Sequence, residues 1–133
     1  MVQKVIKTDQ EWKDQLTEIS YDVLRKHSTE RAFTNDNFPK LEGSFLCAGC
    51  ETTLFESQAK FDSQSGWPSF YQPINSNVVI ETTDTSFSMK RTEVSCSICD
   101  GHLGHVFHDG PKPTGLRYCI NGSALNFKKS IKD

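Results

Sequence analysis

Five cysteines carry the most readable chemistry in this chain. Four fall into two pairs, Cys47-Ala48-Gly49-Cys50 and Cys96-Ser97-Ile98-Cys99, and Cys119 stands alone. A Cys-x-x-Cys turn can close two thiolates on one cation, and two such turns supply the four sulfur ligands of a tetrahedral site. Four protein ligands leave no position for water or substrate, so the expected cofactor is one structural Zn2+ per chain rather than a hydrolytic metal centre. Such an ion ties segments that are distant in sequence and contributes folding energy directly. Spacing alone leaves open a thioredoxin-like redox role for one pair, iron at the same thiolates, or buried free cysteines.

His102 and His105 follow closely behind Cys99. A finger with two Cys and two His has about a dozen residues between its pairs, so this spacing does not make them ligands. Taken alone they read as ordinary core or surface histidines. Cys119 lies in Gly115-Leu116-Arg117-Tyr118-Cys119-Ile120-Asn121, whose alternation predicts a strand. A single strand cysteine is commonly a packing residue, but Arg117 and Asn121 share its face at strand spacing. Arg117 could stabilise a thiolate there, and Asn121 could hydrogen-bond a polar substrate.

Two kinds of element must position these residues. Thr8-Asp9-Gln10-Glu11 has the spacing of a capping box, and Trp12, Leu16, Ile19 and Val23 then recur at helical intervals, predicting a helical segment over about 8–27. A break with a second N-cap is expected near Ser20. From Phe33 onward, short apolar pieces alternate with Asn, Asp, Gly, Pro and Ser, so a β-rich body is expected over about 33–128. Val78-Val79-Ile80-Glu81-Thr82 and Phe87-Ser88-Met89-Lys90 flank a turn-like Thr83-Asp84-Thr85, predicting a hairpin that leads into Cys96. Asp109 to Gly115 holds two prolines and two glycines and must be a loop.

At 133 residues, with 35% hydrophobic and 24% charged residues, the chain reads as a single folded domain rather than a disordered one. A net charge of -2 and the lack of a basic run argue against nucleic acid as a partner. The N-terminus turns polar before a signal peptide could form and no long apolar run follows, so no membrane partner and a cytoplasmic location are expected.

Five motifs occur in order: Cys47-x-x-Cys50, Gly66-Trp67-Pro68-Ser69-Phe70, Cys96-x-x-Cys99, His102-Leu103-Gly104-His105-Val106-Phe107 and Arg117-Tyr118-Cys119-x-Asn121. Together they resemble the methionine sulfoxide reductase B family, and the resemblance runs from about Trp12 to about Phe127. It implies a mainly β (α+β) fold: two antiparallel β-sheets with N-terminal helices, and zinc on Cys47, Cys50, Cys96 and Cys99 opposite the active site. The implied reaction is reduction of the R-epimer of methionine sulfoxide in proteins and peptides. Cys119 would attack the sulfoxide sulfur as a thiolate and end as a sulfenic acid. His105 and His102 match the family's histidines that protonate the departing oxygen, and Asn121 joins this catalytic set in an orienting and electrostatic role. Trp67 would pack on the substrate's ε-methyl group and tell the epimers apart by shape. Phe107, Asp109 and Arg117 match substrate-binding positions around that site, the last two with orienting and electrostatic roles.

One position departs from the family's common pattern. Many members carry a resolving cysteine just before Gly-Trp-Pro-Ser-Phe, where this chain has Ser65. With the other four thiols on metal, the sulfenic acid then needs an external reductant, thioredoxin or a small thiol. Two rival readings are a zinc-ribbon interaction module and a Cys-x-x-Cys enzyme acting on disulfides. The first leaves Cys119, the histidines and Trp67 unexplained, and the second fails if both pairs hold one metal.

Overall fold

The computed structural model describes residues 4–35, 38–85 and 91–130. Thr8 caps helix α1 (Asp9–Gln15) with a complete capping box: its side chain accepts from the Glu11 backbone N–H, and the Glu11 carboxylate accepts from that of Thr8. The helix ends at Leu16, which is extended, and Thr17 caps α2 (Glu18–Lys26) by accepting from the Ser20 N–H. The break therefore falls at Thr17 rather than Ser20, which lies within α2. This shift resets the helical phase. Trp12 and Val23 are buried as expected, but Ile19 is 44% exposed, and α2 instead buries Tyr21, Val23 and Leu24. His27 ends α2 in the left-handed conformation, φ 58°.

The body is mainly β, in two antiparallel sheets. A three-stranded sheet has the order β2 (Thr53–Glu56), β1 (Gly43–Cys47), β9 (Leu125–Lys129). A six-stranded sheet has the order β3 (Lys60–Phe61), β4 (Ser69–Phe70), β8 (Arg117–Ile120), β7 (His102–Phe107), β6 (Arg91–Cys96), β5 (Val79–Asp84). The expected hairpin into Cys96 is present as β5 and β6, with Val79 opposite Cys96 and Asp84 opposite Arg91. Thr83 and Asp84 continue the strand rather than turning. The predicted return piece, Phe87–Lys90, lies outside the described residues. The loop expected after Asp109 is closed by N–H to carbonyl bonds from Gly110 to Gly115 and from Gly115 to Pro111, with Gly115 at φ +73°.

Aromatic side chains from both sheets meet in the core. Phe70 stacks on Phe55 at 4.3 Å between ring centroids and meets Phe45 edge-on at 5.0 Å, while Phe127 lies 5.2 Å from Phe45. Such pairs add to the free energy of burying their area. With Phe70, Tyr118 and Val106 turned into this core, strand alternation puts Ser69, Cys119 and His105 on the other face of the large sheet. Among the described residues no helix is long and apolar enough to cross a membrane.

Candidate active site and cysteine cluster

Cys119, His105 and Glu93 form one row across the sheet. Register pairs Ser69 with Cys119, Cys119 with His105 and His105 with Glu93, so directly opposed side chains project from one face. The β7 to β8 contact is close because Gly104 carries no side chain. A Cβ there would lie 2.0 Å from the Cys119 carbonyl oxygen. The next positions along the same strands, Phe107 and Arg117, pair opposite each other, and the Arg117 guanidinium lies over the Phe107 ring at 4.5 Å.

A cleft of about 350 Å³ opens over this row. Its lining includes Cys119, His105, Phe107, Arg117, Trp67 and Asn121, together with Ser65, Gly104, Thr29 and Arg91. Trp67 is fixed from two sides: its indole N–H donates to the Glu30 carbonyl at 3.0 Å, and its backbone N–H donates to Ser65 Oγ at 3.3 Å. The Asn121 amide is buried, accepting from the Glu30 N–H at 3.0 Å and donating to the Leu103 carbonyl at 2.9 Å. Asp109 does not line the cleft. It holds Arg117 through paired bonds of 2.9 and 3.1 Å, and that hydrogen bonding keeps its carboxyl below the usual range. His102 also stands outside the cleft, buried behind His105 with 5.6 Å between ring centroids.

Burial pushes the Cys119 thiol above its ordinary pKa, outweighing the opposing pull of the Arg117 charge. Ser65 and Arg117, which line the same cleft, oppose that rise and favour the thiolate. Burial thus favours the protonated thiol, while the neighbouring Arg117 and Ser65 favour its ionised form.

Glu30 is the most consequential residue that sequence reasoning missed. It is 5% exposed, and its carboxylate accepts from the N–H groups of Gly122 (2.9 Å) and Ser123 (2.8 Å) and from Ser123 Oγ (2.6 Å). Its own backbone holds Trp67 and Asn121. One residue thus joins the chain after α2 to the indole and to the turn that follows β8. A Glu beside Thr29 carries no local signal of this, because its carboxylate partners lie 92 and 93 residues away. Thr29 and Arg91 in the cleft were missed for the same reason.

At the other end of the strands, the two Cys-x-x-Cys turns have the same shape. Each closes with an N–H to carbonyl bond of 2.8 Å, from Glu51 to Cys47 and from Asp100 to Cys96, and Glu51 and Asp100 both take positive φ, 63° and 62°. Cys47 ends β1 in the small sheet and Cys96 ends β6 in the large one. The four sulfurs lie within 4.8 Å of one another, with Cys47 to Cys99 at 3.7 Å and Cys50 to Cys96 at 3.5 Å. These separations exclude disulfides. A metal–sulfur bond of about 2.3 Å gives a tetrahedral edge of about 3.8 Å, so the spacing and the all-sulfur donor set suit one closed metal site. Hydrogen bonding from Cys47 favours the Cys50 thiolate, while the same contact pushes the Cys47 thiol up. The helices pack on these turns: Gln15 donates to the Gly49 carbonyl at 2.6 Å and Arg25 to the Cys99 carbonyl at 2.8 Å.

Residues 16–129 match the family model described as SelR domain. The chain is 52% identical over 127 residues to the peptide methionine sulfoxide reductase MsrB of Leptospira interrogans, covering 95% of this chain and 97% of that protein. It is 55% identical over 128 residues to the protein of that name from Pseudomonas putida, covering 96% of each. The chloroplastic peptide methionine sulfoxide reductase B1 of Oryza sativa is 52% identical over 124 residues, and the match spans 92% of this chain and 58% of the rice protein.

Proposed function

The chain belongs to the SelR domain family, whose relatives are peptide methionine sulfoxide reductases, and from that premise we propose that it reduces the R-epimer of methionine sulfoxide in proteins and peptides. The observation that carries the reading is the cross-strand pairing of Cys119 with His105 under a cleft walled by Trp67.

The sulfoxide sulfur enters beside Cys119 with its ε-methyl group against the indole of Trp67. Loss of the thiol proton is favoured by Arg117 and Ser65, and the thiolate attacks the sulfoxide sulfur. As the sulfur–oxygen bond of the substrate breaks, the oxygen gains protons, with His105 as donor and His102 behind it. Water formed from that oxygen then adds to the Cys119 sulfur and loses a proton. The sulfur–sulfur bond made in the attack breaks with its electron pair going to the substrate sulfur, and methionine leaves a sulfenic acid whose sulfur has supplied the two electrons. Arg117, held by Asp109 and stacked on Phe107, and Asn121, held by Glu30 and Leu103, keep the cleft in shape. A first external thiol, thioredoxin or a small molecule, displaces water from the sulfenic acid to form a mixed disulfide. A second thiol releases Cys119 and leaves the reductant as a disulfide.

Cys47, Cys50, Cys96 and Cys99 would hold zinc, whose contribution is to cross-link the two sheets and not to act on substrate. Both Cys-x-x-Cys pairs then serve one ion, which leaves neither for disulfide exchange. The reading is tested by turnover of separate R and S sulfoxide peptides with dithiothreitol, which needs no resolving cysteine. R-selective reduction lost in Cys119→Ser supports it; reduction of neither epimer by folded protein refutes it.

A further inference from the structure

His102 is 2% exposed, and neither of its ring nitrogens has a well-directed hydrogen-bond partner among the described residues. That is a costly state for a buried imidazole. Its Nδ1 nonetheless lies 2.7 Å from Glu93 Oε2, close but off the line of a hydrogen bond. The same oxygen lies 2.9 Å from Nδ1 of His27. The two imidazoles stack at 5.1 Å between centroids with 14° between their planes. Three separate elements make this cluster: the end of α2, β6 and β7. The side chain of His27 is 60% exposed, so the cluster opens to solvent on one side.

We propose that His27, Glu93 and His102 form a second divalent-cation site, distinct from the four-cysteine cluster, that takes a borderline metal such as Zn2+. Two imidazole nitrogens and one carboxylate oxygen, all within 4.8 Å of one another, are the donor set and count of an open zinc site. A fourth position remains for water on the side where His27 is exposed. Zinc bonds of about 2.0–2.1 Å need donor separations of about 3.4 Å, so the present 2.7 and 2.9 Å contacts must widen by roughly half an ångström. A shift of the exposed His27 ring widens the 2.9 Å contact, and a small turn of the Glu93 carboxylate about its own side-chain torsions widens the 2.7 Å one, while the backbones of Glu93 and His102 stay in their paired strands. A bound cation also gives the buried His102 ring the directed partner it lacks. Because His102 backs His105, binding fixes the ring and places positive charge behind the cleft, so reductase turnover falls. That consequence rests on the function proposed above; the binding does not.

The test uses full-length protein carrying one equivalent of zinc, titrated with further Zn2+ in equilibrium dialysis while the histidine ring signals are followed by NMR. The expected result is a second equivalent that shifts the rings of His27 and His102. Both effects disappear in His27→Ala and in Glu93→Gln, with the first equivalent retained. Stoichiometry that stays at one overturns the proposal. So does a second equivalent that survives His27→Ala but is lost in Cys119→Ser, which would put the ion in the cleft.

Discussion

Glu30→Gln is the substitution that best probes how the cleft is held. The change keeps shape and volume but replaces one carboxylate oxygen with an NH2 group. Among the described residues, Oε1 accepts from Ser123 N, Ser123 Oγ and, at 3.4 Å, Asn35 Nδ2, whereas Oε2 accepts from Gly122 N alone. The least harmful placement therefore turns the new NH2 toward the Gly122 N–H. That sets donor against donor, and a buried hydrogen bond to a charged acceptor is worth about 1.5–3 kcal/mol. The turn cannot easily back away, because a Cβ at Gly122 would already lie 1.8 Å from the Asn35 carbonyl oxygen, which shows how closely the chain is packed there. With the remaining bonds weakened by loss of charge, the expected destabilisation is about 3 kcal/mol, or about 10 °C in Tm for a chain of this length. Urea unfolding of metal-loaded protein measures it, with the m value expected to stay constant. Turnover should fall as well, since the Glu30 backbone anchors Trp67 and Asn121. A Glu30→Gln protein within about 0.5 kcal/mol of the parent, the spread expected of neutral surface changes, would refute the argument.

Phe70→Ala removes the ring that joins Phe45 to Phe55 and should cost about 3–5 kcal/mol in the same unfolding assay, with a loss below about 1 kcal/mol contradicting the core described above. Arg117→Met removes the cation that favours the Cys119 thiolate, so the pH midpoint of Cys119 alkylation should move up; an unchanged or lower midpoint would show that the guanidinium does not act on the sulfur. Peroxide or substrate should convert Cys119 to a sulfenic acid with no internal disulfide by mass spectrometry, whereas Ser65→Cys should yield one; a disulfide between Cys119 and a metal-site cysteine in metal-loaded protein would count against the cluster's structural role. Chelation should lower Tm markedly and release one zinc per chain, and a Tm unmoved by full metal removal would deny the cluster a part in stability.

What could be read from sequence was what is local. The two cysteine turns and the capping box at Thr8 each act within four or five residues, so spacing revealed them. The second helix start was misplaced because Thr17 and Ser20 are both good caps, and only the packing of Tyr21 and Leu24 decides between them. The turn expected at Thr83–Asp84 rested on composition, but pairing with Arg91 and Thr92 extends the strand through it. The row from Ser69 through Cys119 and His105 to Glu93 depends on register among four strands, one of them two residues long, and no period in the sequence encodes that order. Glu30 and His27 gain their partners only when the chain after α2 meets β6 and β8 from the far half of the sequence.

The central claim is that Cys119 is the nucleophile of a stereoselective reductase, and one experiment addresses it most directly. Single turnovers of R and S sulfoxide peptides without added reductant, scored by methionine formed and by sulfenic acid trapped on Cys119, should give one methionine per chain from the R peptide alone. Cys119→Ser should give none. Methionine formed by the Ser variant, or equal yields from both epimers, would contradict the account.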